Sequence, residues 1–208
     1  MLAWDVSQIT FKQGEQRFFD DLVTFLASFA GLSAGLALQR KGESAPFGKT
    51  DVISFQGTER GIHKEMRYFP LDVLGELAAD TWPTRVEISV GTITNFAPEN
   101  PFTYAGLVGV AGSMLMSAFV HYYETVLADI KAKHGSDPGA WPATLNFARI
   151  VRNAFAHGGT LNFQSPTGLG GTWRGVIYTP ADNGRQILFS DLAAVEVILL
   201  MNEMDTLF

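Results

Sequence analysis

The amino-acid sequence predicts a mainly α-helical protein with a C-terminal β-hairpin and a small β insertion. Two observations lead to this fold class. Long stretches repeat apolar residues at helical spacing, and the dipeptide Asn183–Gly184 stands between two short segments of alternating polarity. Hydrophobic residues make up 47% of the 208 positions and charged residues 17%, which suffices for a sizeable core, so we expect one folded domain over 1–208.

The helices follow from apolar periodicity and from the residues that end it. Along the first of them, Phe18, Leu22 and Phe29 recur at helical spacing, and a glycine at 42 ends the pattern. Proline suits the first position of a helix, so Asp137–Pro138 or Trp141–Pro142 is expected to start the fourth helix. The predicted helices span 18–38, 70–80, 107–131, 145–156 and 192–204.

The strands follow from alternation. Val86, Ile88 and Val90 alternate with polar residues, which predicts a small β insertion over about 85–96, with a hairpin around Gly91. A short strand is expected at 52–55. Near the C-terminus, segments 172–179 and 185–190 flank Asn183–Gly184, a pair typical of two-residue hairpin turns, so the C-terminal hairpin is predicted to turn there.

Composition excludes several function classes. The net charge of −6 gives no general attraction to nucleic acid, so RNA binding would need a local basic patch. The chain has no cysteine, which excludes disulfides, cysteine zinc sites and a cysteine nucleophile. The N-terminal segment lacks a secretory signal pattern. The uncharged stretches 22–38 and 104–123 are diluted by glycine and serine, so we expect core helices, no membrane association and a cytoplasmic protein.

The stretch ARIVRNAFAHGG, residues 148–159, carries the most chemistry. On a helix, Asn146, Arg149, Asn153 and His157 are spaced by three, four and four residues and form one polar stripe. Arg152 lies about 100° around from Asn153 but has a long side chain. His157 falls in the last turn, where exposed carbonyls favour a positively charged imidazole. A guanidinium and an imidazole together suit phosphate binding and proton transfer.

Other interpretations of these residues remain open. The spacing by itself also fits a solvated polar stripe with a capping histidine. His121 and Glu124 share a helical face, and His63 is close to Glu65, but neither pair has a third ligand at a metal-binding spacing. We therefore expect neither a metal site nor a cofactor. The glycines of 167–171 lack the lysine of a phosphate loop and predict a flexible connection.

The segment RNAFAH resembles the Arg-x4-6-His motif of the HEPN superfamily, in which a polar residue often follows the arginine. The resemblance covers about 104–208, including a long helix before the motif, and indicates no particular subfamily. Gly159 stands where one toxin subgroup has a tyrosine. The resemblance implies an all-α helical bundle that forms homodimers and acts as a metal-independent endoribonuclease. It assigns charge stabilisation to Arg152, acid–base catalysis to His157 and orientation to Asn153.

The leading hypothesis is therefore a HEPN-type endoribonuclease of a toxin–antitoxin or defence system. Arg152, His157 and Asn153 would be catalytic, and Arg149 would bind substrate. RNA, an antitoxin or another protein would be its partners, besides a second copy of the chain. Two alternatives stay open: a HEPN-like module that binds nucleotide, RNA or protein without catalysis, and a structural helical dimer.

Overall fold

A computed structural model describes residues 6–41, 47–59, 62–93 and 105–208 of the chain. Its α-helices are α1 (Phe19–Lys41), α2 (Pro70–Ala78), α3 (Ala105–His134), α4 (Ala143–Ala156) and α5 (Ala194–Asp205). Its strands are β1 (Val6–Lys12), β2 (Ile53–Glu59), β3 (Ile62–Tyr68), β4 (Arg85–Ile93), β5 (Gly171–Trp173) and β6 (Val176–Tyr178). Short 3-10 helices lie at Pro138–Ala140 and Pro180–Asp182.

The mainly α-helical character is confirmed, and each predicted helix has a counterpart within a few residues of its expected ends. Helix α3 extends further than expected at both ends, and α5 begins two residues later than predicted. The later start of α5 has a local cause: the backbone N–H of Ala193 donates to the carboxylate of Glu196 at 3.0 Å. This bond satisfies a donor that the first helical turn leaves without a backbone partner.

The β insertion is larger than predicted. Strand β4 is one continuous strand, so the expected hairpin around Gly91 is wrong, and residues 94–96 lie outside the described part. Strand β4 is an inner strand of a four-stranded antiparallel sheet with the order β1-β4-β3-β2. The all-α architecture that the family resemblance implies is thus not what the described residues form.

The sheet buries one face against helices. Phe11, Val86 and Met66 point to this face and are almost fully buried, while alternate residues such as Thr10 and Arg85 are exposed. This alternation is typical of an antiparallel sheet with one solvated side. Helix α1 covers the buried face, where the hydroxyl of Tyr68 donates to the carbonyl of Leu26 at 2.8 Å.

The C-terminal hairpin exists, but its predicted turn is wrong. Strands β5 and β6 are joined by Arg174–Gly175, which both have positive φ angles of 43° and 77°. Two such residues make the turn whose twist matches that of the paired strands. Asn183–Gly184 instead follows the Pro180–Asp182 helix, and past it a single bridge pairs Gln186 with Thr160.

Helix α1 has the length and composition of a membrane span, over Phe19–Leu36. It is the one such helix in the described part of the chain. Core helices of soluble proteins pass the same test, and one face of α1, including Leu22, Leu26 and Ala30, is buried here.

Candidate functional site at the end of α4

An aromatic stack between α4 and the β5–β6 hairpin holds helix α4 in place. The buried ring of Phe147 lies parallel to Tyr178 at 5.1 Å and to Trp173 at 5.8 Å between ring centroids. Glycine at 171 lets β5 approach the helix, because a Cβ atom there would lie 3.2 Å from the Phe147 Cα atom. The hairpin therefore supports α4 over its first turns, which fixes the direction in which the polar end of the helix projects.

The helix ends in a defined geometry at His157. The N–H of Gly159 donates to the Ala154 carbonyl at 2.8 Å, and the N–H of Gly158 donates to the Phe155 carbonyl at 3.2 Å. Gly158 has a φ of 71°. These two bonds with a left-handed glycine form the Schellman motif, which ends many helices. The two glycines of the sequence motif thus position the backbone of His157.

The His157 side chain is exposed and, within the described residues, makes no hydrogen bond or ion pair. It lines a cavity of about 340 Å³ together with Arg149, Arg152 and Asn153. Three members of the polar stripe predicted from the spacing, Arg149, Asn153 and His157, therefore line one cavity, whereas Asn146 does not line it. The neutral imidazole ring carries one hydrogen-bond donor and one acceptor, so it can bond to a ligand in this cavity.

Arg152 is held between two helices. Its Nε donates to Glu124 Oε1 at 2.6 Å, its Nη2 lies 2.5 Å from the same oxygen, and its Nη1 donates to Asn153 Oδ1 at 3.3 Å. A guanidinium carries five N–H donors, so these contacts leave two of them for a ligand. Asn153 thus accepts a bond from Arg152, and its expected orienting role stays a prediction. Glu124, which sequence reasoning considered only beside His121, contributes the counter-charge.

Arg149 also holds neighbouring parts of the chain, and its expected role in substrate binding stays a prediction. Its Nε and Nη2 donate to Asn146 Oδ1 at 3.1 and 3.0 Å, and its Nη2 also donates to the Leu169 carbonyl at 3.0 Å. Burial lowers the pKa of Arg149 below its ordinary value, and Tyr123 partly opposes that shift. Of its five donors, two therefore bond to Asn146 within α4, one holds the loop after α4 at Leu169, and the two on Nη1 are left for a ligand.

Two features in or beside the site were not predicted from the sequence. The first is the loop 162–169, which forms the wall of the cavity opposite α4. The second is Tyr123 of α3, which is buried close to Arg149 and Arg152. Burial raises the pKa of Tyr123 to about 12, with Arg149 and Arg152 opposing the rise and Glu124 adding to it. Helical periodicity shows which residues share a face but not which helices become neighbours.

The other histidine candidates lie elsewhere. The Nδ1 atom of His121 is 2.7 Å from Asp21 Oδ1 across a groove of about 670 Å³ between α1 and α3. Burial raises the pKa of Asp21, against the opposing effect of His121. The His63 side chain lies outside the described part. No group of three metal-ligating side chains occurs among the described residues.

No protein-family model, curated protein or solved structure matches this chain.

Proposed function

We propose that this protein is a HEPN-type endoribonuclease that cleaves RNA without a metal ion and acts as a homodimer. One observation carries the proposal: α4 places two arginines, an asparagine and a histidine that has no partner among the described residues on the wall of one cavity. The resemblance of RNAFAH to the HEPN motif supports it independently of the geometry. A place in a toxin or defence system, with an antitoxin or other protein partner, belongs to the same proposal.

The chemistry would be attack of the ribose 2′-hydroxyl on the adjacent phosphorus. The 2′-O–P bond forms, the P–O5′ bond breaks, and a 2′,3′-cyclic phosphate remains. A base takes the 2′-hydroxyl proton and an acid protonates the leaving 5′-oxygen, while a cation stabilises the charge on the phosphorane. His157 transfers a proton and Arg152 offers its two remaining N–H donors to the phosphate oxygens.

A second copy of the chain would complete the site. Among the described residues, each protomer contributes one histidine to the cavity, whereas the reaction needs both a base and an acid. A two-fold axis close to His157 would bring two histidines together. Sedimentation should therefore report two chains per particle, and a protein that stays monomeric at high concentration would remove this part of the proposal.

The ion pair of Arg152 with Glu124 favours one alternative function. A phosphate that approaches Arg152 meets a guanidinium whose charge is already balanced within the chain. That arrangement also suits a module that binds nucleotide, RNA or protein through the same cavity and catalyses nothing.

The experiment is cleavage of labelled single-stranded RNA in the presence of a chelator. His157→Ala should lower the rate by about 10²–10⁴-fold, through loss of proton transfer. Arg152→Ala should lower it by about 10²–10³-fold, and Arg152→Lys should restore it only in part. The matched control is Arg174→Ala, because Arg174 also pairs with a glutamate, Glu203, at similar exposure. Equal cleavage by the wild type and the His157 variant would leave only the binding function.

A further inference from the structure

The loop 162–169 is held more firmly than a surface connection usually is. Its first turn is fixed where the N–H of Phe163 donates to Asn183 Oδ1 at 2.7 Å. Its far end is fixed by Arg149 at the Leu169 carbonyl, and by Asn146 Nδ2, which donates to the Gly170 carbonyl at 2.7 Å. Two of the side chains that hold the loop therefore come from the polar stripe of α4. A wall fixed in advance lowers the entropy cost of binding a ligand.

The loop presents an aromatic ring to the cavity. Phe163 is half-buried, packs against the hydrophobic core and also lines the cavity beside His157. The loop closes over this ring at position 168, where a Cβ atom would lie 3.3 Å from Phe163 Cδ1 and 3.0 Å from the Ser165 carbonyl oxygen. A half-buried phenylalanine that packs on the core and also lines the cavity is a suitable residue for stacking a nucleobase.

Two amide side chains flank that ring. Asn162 and Gln164 line the cavity, and their side chains make no hydrogen bond within the described part of the chain. A carboxamide carries both donors and an acceptor, so it can pair with the edge of a base. The charged groups lie on the opposite wall, at Arg149, Arg152 and His157. The two walls thus match the two ends of a nucleotide, its base and its phosphate.

We propose that the loop 162–169 is a nucleobase subsite, in which one unpaired base stacks on Phe163 and its edge bonds to Asn162 and Gln164. The cavity of about 340 Å³ lies at the small end of ligand sites, which suits one nucleotide rather than a helix. Bases that are free to enter such a site occur in single-stranded RNA, where proteins read them by stacking and edge contacts. This inference rests on the proposed function, since it names the substrate of the same site.

The test is calorimetric titration with the four nucleoside 3′-monophosphates, with ribose 5-phosphate as the ligand that lacks a base. The nucleotides should bind more tightly than ribose 5-phosphate. Phe163→Leu should weaken nucleotide binding by at least about fivefold, because stacking on an aromatic ring is lost. Gln164→Ala should reduce the differences in affinity among the four bases. Phe69→Leu, at an exposed phenylalanine outside the cavity, is the control and should bind as the wild type does.

The outcomes separate this subsite from the enzyme proposal. Equal affinity for ribose 5-phosphate and the nucleotides would overturn the subsite, and so would unchanged binding in both Phe163→Leu and Gln164→Ala. Because Gln164 is exposed, Gln164→Ala should fold, and it tests the nucleobase subsite even where Phe163→Leu fails to fold. Nucleotide binding that depends on Phe163, without any RNA cleavage, would keep the subsite and reject the enzyme. RNA cleavage with an unchanged KM in both Phe163→Leu and Gln164→Ala would keep the enzyme and reject the subsite.

Discussion

The end of α4 and the groove between α1 and α3 both contain a histidine beside a cavity, yet they differ in what surrounds it. The groove has about twice the volume, and its histidine is bonded to Asp21 at 2.7 Å. At the end of α4 the histidine has no partner among the described residues, and arginine, asparagine and glutamine side chains line the same cavity. Convergent polar groups, rather than the size of a cavity, mark the better candidate for chemistry.

The comparison also shows what holds each site in place. The groove consists of two helix faces in contact, whereas the α4 end is set by an aromatic stack beneath it, by two glycines and by a loop tied to α4. Catalytic groups need such support, because small misplacements cost large factors in rate. Changes that remove the support at α4 should therefore affect function, and changes in the groove should not.

The largest effect should follow from removing the aromatic stack. Phe147→Ala should lower the free energy of unfolding by about 3–5 kcal/mol, because the variant leaves a cavity between α4 and the hairpin. The control Ile177→Ala, at a side chain 62% exposed on β6, should change it by about 0.5 kcal/mol or less. Urea unfolding measures both. If Phe147→Ala lowered the free energy of unfolding by less than Ile177→Ala does, the hairpin would not support α4.

The next effect is in alkaline solution. The pKa of Tyr123 rises from 10 to about 12 on folding, so the protonated phenol stabilises the fold fully below pH 10 and progressively less as the pH rises through 12. Two pKa units correspond to about 2–3 kcal/mol. Tyr123→Phe should match the wild type in the pH dependence of its unfolding free energy up to pH 10. Between pH 10 and pH 12, Tyr123→Phe should lose less stability than the wild type. Identical unfolding free energies of the two proteins across this pH range would contradict the buried position of the Tyr123 phenol.

The smallest effect should come from the groove. Burial outweighs His121 and raises the pKa of Asp21, so the folded state disfavours its charged form. The protonated carboxyl of Asp21 therefore contributes favourably to stability below its ordinary pKa of 3.8. This contribution is lost as the pH rises through the pKa of Asp21 in the folded protein. Asp21→Asn should therefore be slightly more stable than the wild type at pH 7, with the difference disappearing towards pH 3. RNA cleavage should not change. Lower stability at pH 7 would mean that the pair with His121 outweighs burial.

The sequence predicted some of these features and missed others for physical reasons. Helices α1, α3 and α4 have long apolar periods and glycine or proline ends, so both their type and position follow from local signals. In strand β3, Lys64 interrupts the alternation of Ile62, Met66 and Tyr68 with polar residues, which weakens the strand pattern. Asn183–Gly184 is the stronger turn signal, yet Arg174–Gly175 makes the hairpin, because Trp173 and Tyr178 pack on Phe147.

Some residues of the candidate site were likewise predicted from the sequence, and others were not. Arg152, Asn153 and His157 could be found because their spacing places them at one helix end. Glu124, Tyr123 and the loop 162–169 could not be found that way, because they reach the site through tertiary packing between α3, α4 and the segment after them. The role of Arg149 in holding the loop depends on the Leu169 carbonyl, a backbone group that no side-chain pattern reveals.

The comparison of the two histidines gives the most direct test of the central claim. Single-turnover cleavage of a labelled single-stranded RNA with chelator present should be measured for His157→Ala and His121→Ala, each checked for folding by urea unfolding. We expect both variants to fold, because both side chains are exposed, the His121→Ala rate to equal that of the wild type, and the His157→Ala rate to fall by about 10²–10⁴-fold. Equal rates for the two variants, or a loss with His121→Ala alone, would contradict the assignment of the α4 end as the catalytic site.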